Sequence, residues 1–89
     1  MMAMTATEEG AEILALQALG WLAGEEDRLA RFLGLSGLDL GTLRDVAGNR
    51  ETQRAVLDFL LSDEHLLLDF CEMAQISPKS LPLYRHLLG

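Results

Sequence analysis

Residues 19–32 read LGWLAGEEDRLARF, and the same pattern returns 38 positions later, where residues 57–70 read LDFLLSDEHLLLDF. Leucine, aromatic and acidic residues fall on residues of the same kind, most clearly in the pairs Trp21/Phe59 and Phe32/Phe70. A fixed period of this size is typical of a duplicated helical unit. Two copies are fewer than a stacked solenoid needs. We therefore expect one body in which the apolar faces of the two units bury each other.

The composition predicts an all-α fold. The chain has 89 residues, too few for two ordinary domains, and is 49% hydrophobic with twenty leucines against four valines and isoleucines together. Leucine favours helices, whereas β-branched residues favour strands. We expect a compact bundle of about six short helices in a single domain over residues 8–89, after a disordered lead over residues 1–7.

Cap and stop signals divide this domain into helices. Thr7, Asp39, Asn49 and Ser62 are predicted N-caps, and glycines at 24, 34 and 48 are predicted stops. Pro82 would break a helix already under way, so a turn is expected at 78–80. The predicted helices cover 8–23, 25–33, 40–47, 50–61, 63–75 and 81–88 and form two three-helix units, 8–47 and 49–88. Leu40 and Leu43 are expected to be buried.

The charge balance argues against nucleic acid and membrane as partners. Fourteen acidic residues against seven basic give a net charge of −7, whereas nucleic acid and anionic membranes attract basic surfaces. The longest apolar stretch, residues 13–23, is shorter than the ~20 residues that span a bilayer. A lone cysteine, Cys71, fits a reducing compartment, and the N-terminus lacks the positive residues of a signal peptide. We expect a cytoplasmic protein.

An arginine cluster leaves a nucleic-acid-associated regulator open as the alternative. Residues 40–59 are predicted helix, glycine turn and helix, the order found in a helix-turn-helix. Arg44, Arg50 and Arg54 could meet phosphates, but Asn49 and Arg54 occupy places that the motif buries. We favour a solvated face with ion pairs among Arg50, Glu51, Arg54 and Asp58.

Candidate metal ligands and nucleophiles are few. His65 and Asp69 lie four residues apart on one helix, but a metal site needs three or four ligands and His86 is distant in sequence. Cys71 with either histidine could form a nucleophile and base, yet it follows Phe70 on the apolar side, where a small buried hydrophobe is the commoner role. No phosphate loop or nucleophile elbow occurs in the sequence. We predict no metal, cofactor, small-molecule substrate or enzymatic activity.

Trp21 is the only tryptophan and belongs to the most apolar predicted helix. Large apolar residues lie on all sides of that helix, so it should be central to the fold or half of an oligomer interface. Trp21 is therefore a core anchor or an interface hot spot. We expect a small protein-interaction or regulatory module that binds another protein or itself, with Trp21, Arg44, Arg50 and Arg54 as candidate contacts.

Several runs of sequence resemble one bacterial family. They are LxWL at 19–22, RFL at 31–33, SGLD at 36–39, LR at 43–44 and VLDFLLSDE at 56–64. Over about residues 10–89 the chain resembles a family of short alphaproteobacterial proteins known only as a domain of unknown function. The resemblance implies a small helical cytosolic protein and supplies no reaction, cofactor or catalytic residue.

Overall fold

The computed structural model describes residues 7–89, apart from the side chain of Ala47. The helices are α1 (Glu8–Ala23), α2 (Glu26–Ser36), α3 (Leu40–Leu43), α4 (Arg50–Leu61), α5 (Glu64–Ala74) and α6 (Leu81–Leu87), with short 3₁₀ turns at Val46–Gly48 and Pro78–Ser80. The predicted all-α bundle of about six helices is confirmed. The lead predicted over residues 1–7 lies outside the described residues except for Thr7.

Polar side chains cap four helix starts. Thr7, Asp39, Asn49 and Asp63 each accept a hydrogen bond from the backbone N–H three residues later, at 2.8–3.2 Å. The prediction of Ser62 as the cap of α5 is wrong. The Ser62 hydroxyl instead donates to a carbonyl in the last turn of α4 at 2.7 Å, and the Asp63 carboxylate, a stronger acceptor, takes the cap.

The end of α2 also differs from the prediction. The helix continues through Gly34 and ends at Gly37, whose φ of 75° is left-handed. A helix interior tolerates a glycine at a cost of about 1 kcal/mol. Gly37 takes the left-handed conformation without a Cβ clash, so the chain reverses there.

The third predicted helix is much shorter than expected. It stops at Leu43 instead of reaching residue 47, and the chain enters the turn Val46–Gly48. Gln53 Nε2 donates to the Val46 carbonyl oxygen at 2.8 Å, which ties this turn to α4 while the Val46 side chain enters the core. Leu40 was expected to be buried but is 59% exposed, because so short a helix covers little of its own surface.

The core forms where α1 packs on α4, with α2, α5 and α6 around that pair. Large side chains from five helices and the C-terminal end are fully buried there: Leu14, Leu22, Phe32, Leu57, Leu60, Phe70, Leu81 and Leu88. Helix α1 is not buried on all sides, since Ile13 and Leu16 are exposed while Leu14, Leu19 and Leu22 are buried. The radius of gyration is 12.0 Å, as expected for a compact chain of this length.

The 38-residue offset reappears in the geometry of the helices. Residues 26–36 form α2 and residues 64–74 form α5, so both ends of these helices differ by the offset. Each helix is followed by a left-handed residue, Gly37 with φ 75° and Gln75 with φ 60°. The first helices of the two units, α1 and α4, likewise end at Ala23 and Leu61.

Contacts between the two units are reciprocal. The Trp21 ring lies 5.5 Å from the Phe70 ring, and the equivalent Phe59 ring lies 5.3 Å from the Phe32 ring, measured between centroids. The equivalent positions Glu12 and Arg50 meet each other through Nη2 and Oε2 at 2.7 Å. Such exchange is the pattern of a two-fold interface. Descent of the units from one ancestor stays a prediction.

Candidate functional site

Trp21 lies at the boundary between core and surface. Its indole packs against Phe70 on the inner side of α5, while the Arg28 guanidinium lies 3.9 Å from the indole centroid. The side chain is half-buried. The ring therefore contacts the core and is partly accessible at the surface; its role as an interface hot spot stays a prediction.

Trp21 lines a surface groove between the end of α1, the start of α2 and α5, here called the Trp21 groove. Its apolar lining comes from Trp21, Leu66 and Met73, and its charged lining from Glu25, Arg28, Asp69 and Glu72. Met73 is 51% exposed. An exposed thioether beside a half-buried indole gives a groove that can take an apolar side chain.

The charges of this groove are unbalanced. Arg28 Nη2 donates to Glu25 Oε2 at 2.6 Å, whereas no ion pair within residues 7–89 engages Asp69 or Glu72. The other terminal nitrogen, Arg28 Nη1, is buried and has no hydrogen-bond partner in that part of the chain. The groove thus offers two uncompensated carboxylates to a partner.

A second groove overlaps in part the place 38 residues on, and we call it the Phe59 groove. It is lined by Leu35, Ser36, Ala55, Asp58, Phe59 and Ser62. Phe59 is the counterpart of Trp21 and Leu35 that of Met73, and Leu35 is 70% exposed. The one carboxylate that lines the Phe59 groove, on Asp58, accepts a hydrogen bond from Arg85 Nε at 2.6 Å. The two grooves share these two apolar positions and differ in charge.

Two of the three candidate arginines are held within the fold. Arg50 pairs with Glu8 at 3.2 Å and Glu12 at 2.7 Å, and Arg54 Nη1 donates to the Leu88 carbonyl oxygen at 3.3 Å. Arg44 is exposed. The ion pairs predicted within α4 itself are wrong, because the partners come from α1 and from the C-terminal end of the chain in and after α6, both packed against α4.

The candidate metal and thiol residues remain dispersed. Cys71 is 2% exposed, and burial raises the pKa of its thiol, so its predicted role as a small buried hydrophobe is confirmed. His65 and His86 are exposed. Within the described chain no group of three or more histidine, cysteine, aspartate and glutamate residues is placed to hold a metal ion.

Sequence reasoning missed Met73 and Leu35. Both lie near the ends of their helices, where a single apolar residue outside a core face carries no signal alone. The signal was their separation by 38 residues. Each of the two residues lines one of the two grooves.

The helices and their two grooves define a small all-α bundle protein. Residues 8–89 match the family described as "Protein of unknown function (DUF3572)", and the chain belongs to that family. This confirms the resemblance to a family of unknown function. No curated protein and no solved structure matches the chain. Among residues 7–89 no helix combines the length and apolar character that crossing a bilayer requires.

Proposed function

We propose that this protein is a non-enzymatic, cytoplasmic protein-binding module that receives a partner in the Trp21 groove. One observation carries the proposal: a half-buried tryptophan and the exposed Met73 line the same groove. Tryptophan is enriched among residues that dominate binding energy. Methionine adapts its shape to different apolar partners.

The surroundings of the indole support this role. Phe70 and Arg28 both contact the ring, so its position is fixed before a partner arrives. A preordered side chain loses little conformational freedom on binding, and more of the contact energy then appears as affinity. The cytoplasmic setting is supported by the single cysteine, which is buried and free.

The alternative of a nucleic-acid-associated regulator has less support. Arg50 and Arg54 already bind acceptors within the fold, and a chain with a net charge of −7 repels phosphate. A gel shift at two salt concentrations tests it. A salt-sensitive retardation lost in Arg44→Ala would favour this alternative over ours.

Affinity capture with paired variants tests the proposed function. We expect quantitative mass spectrometry to identify a host protein that is captured by the parent, lost with Met73→Glu and retained with Leu35→Glu, the equivalent change in the other groove. Light scattering of the same variants identifies a second copy as the partner if Met73→Glu alone dissociates a dimer. A monomer without any capture dependent on Met73 contradicts the proposal.

A further inference from the structure

The partner's chemistry can be read from a difference between the two grooves. In the Phe59 groove region, Arg31 of α2 reaches across to Asp63, with Nη2 and Oδ2 3.0 Å apart. The same guanidinium lies 5.9 Å from the Phe59 ring centroid. The fold thus places a cation beside an aromatic ring and a carboxylate at this junction of the units.

The Trp21 groove has no arginine at the equivalent position. The residue equivalent to Arg31 is Asp69, and the residue equivalent to Asp63 is Glu25. Two carboxylates therefore stand where the Phe59 groove region has the Arg31–Asp63 ion pair. Both line the Trp21 groove. Arg28 lies on the Trp21 ring and pairs with Glu25, as Arg31 does with Phe59 and Asp63. The charge of Asp69 and that of Glu72, three residues later on the same helix face, remain unmatched.

We propose that the partner supplies a cation to these two unpaired carboxylates: the Trp21 groove binds a short protein segment with an apolar side chain beside a lysine or arginine. The apolar side chain packs on Trp21 and Met73, and the cation meets Asp69 and Glu72. This inference rests on the proposed protein-binding function.

Charge complementarity extends beyond the groove. Residues 55–78 contain five acidic residues and neither lysine nor arginine. A field of one sign steers a partner of opposite charge and disfavours an acidic one. Nucleic acid would place phosphates against Asp69 and Glu72 and is repelled there. The Phe59 groove is lined by no unpaired carboxylate, because Asp58 is already paired with Arg85.

Peptide selection on the full chain tests the proposed chemistry. A displayed library of random 12-residue peptides is selected against the parent, and tryptophan-free peptides are synthesised for titration. Since Trp21 is the only tryptophan, its fluorescence reports occupancy of the groove directly. We expect enriched peptides to combine leucine, isoleucine, methionine or phenylalanine with an adjacent lysine or arginine.

Matched variants then separate charge from apolar contact. We expect Glu72→Lys and Asp69→Lys each to weaken binding about tenfold, while Glu51→Lys, an exposed change of equal charge on α4, leaves it within about twofold. Met73→Glu should abolish the fluorescence change, and Leu35→Glu should leave it intact. Circular dichroism verifies folding, and Glu72→Gln replaces any charge reversal that unfolds.

The outcomes distinguish the two proposals. Selected peptides without basic residues, bound in a manner dependent on Met73 but not on Asp69 or Glu72, overturn the partner chemistry and leave the protein-binding function standing. Recovery of no peptide that depends on Met73 also overturns it. The capture experiment under "Proposed function" decides the broader function separately.

Discussion

Phe32 and Phe70 occupy equivalent places in the two units, and both side chains are fully buried. Each ring packs against an aromatic ring from the first helix of the other unit. Aromatic pairs of this kind contribute about 0.5–1.5 kcal/mol beyond their buried area. The two residues therefore stabilise both the interior of each unit and the join between units.

We expect Phe32→Ala and Phe70→Ala each to lower the free energy of unfolding by about 3–5 kcal/mol, through lost burial and the cavity left behind. That is a large part of the stability of a small domain. Urea denaturation followed by circular dichroism measures it. Leu40→Ala serves as the control and should stay within about 0.5 kcal/mol of the parent, because Leu40 is 59% exposed. Parent-like unfolding of either phenylalanine variant would contradict this account of the core.

The Asp63 carboxylate takes part in both a helix cap and an ion pair. Its carboxylate accepts from the Leu66 backbone N–H and pairs with Arg31. The backbone hydrogen bond first, and Arg31 second, hold the pKa of this carboxyl below its ordinary value of 3.8. A lowered pKa means that the stabilising effect is complete above the ordinary value and is lost as the pH falls through the folded-state value.

We expect Asp63→Asn to melt at a lower temperature than the parent at pH 7, since asparagine keeps the cap but loses the charge. The difference between the two melting temperatures should shrink as the pH falls from about 5 to about 2, because the parent carboxylate takes up its proton there. Thermal melts at four pH values measure this difference. Asp69→Asn, an exposed change on the same helix, should show no comparable shrinkage. A difference for Asp63→Asn that stays constant with pH would rule out the charge as its cause.

At the scale of elements, α2 and α5 end in the same left-handed conformation with different residues. The first unit has Gly37 at this place and the second has Gln75. A non-glycine residue in this region costs about 1–2 kcal/mol because its Cβ approaches the following carbonyl. Gln75 in the second unit is therefore in a strained backbone conformation that a glycine would adopt without this cost.

We expect Gln75→Gly to raise the free energy of unfolding by about 0.5–1 kcal/mol, the relief of strain being partly offset by a freer unfolded chain. Gly37→Ala should lower it by about 1 kcal/mol for the opposite reason. Chemical denaturation measures both. Gln17→Gly, inside α1, is the control and should be destabilising by about 1 kcal/mol. If Gln75→Gly destabilised as well, the strain inferred from φ would be wrong.

At the scale of the molecule, the first helices of the two units form the centre of the bundle. Each unit is about half of the 89 residues, near the length below which a core alone seldom suffices. Phe32, Phe70 and the central faces of α1 and α4 are buried against the other unit. Neither half can cover these apolar surfaces alone.

We expect peptides 1–48 and 49–89 to show weak helical signals separately in far-ultraviolet circular dichroism, because isolated short helices are marginal in water. An equimolar mixture should be more helical than the sum of its parts. The full chain provides the reference signal. A cooperative thermal transition in either peptide alone would contradict the mutual burial of the two units.

Local signals in the chain were enough for much of the fold. Leucine excess fixed the all-α class, and short-range caps such as Thr7 and Asn49 located the starts of α1 and α4, since a cap is decided by residues within one turn. The 38-residue offset indicated two matching units. Phe32 and Phe70 were found by the same comparison because a core position requires the same type of side chain in each unit.

Contacts between distant residues were settled only by folding. The turn that follows the short α3 is tied to α4 by Gln53 reaching back to Val46, and the carboxylate partners of Arg50 lie on α1. The Trp21 groove joins residues from both units, and its unmatched carboxylates become evident only beside the Arg31–Asp63 pair. Such features depend on which helix faces meet, and many alternative pairings satisfy the same apolar pattern until packing selects one.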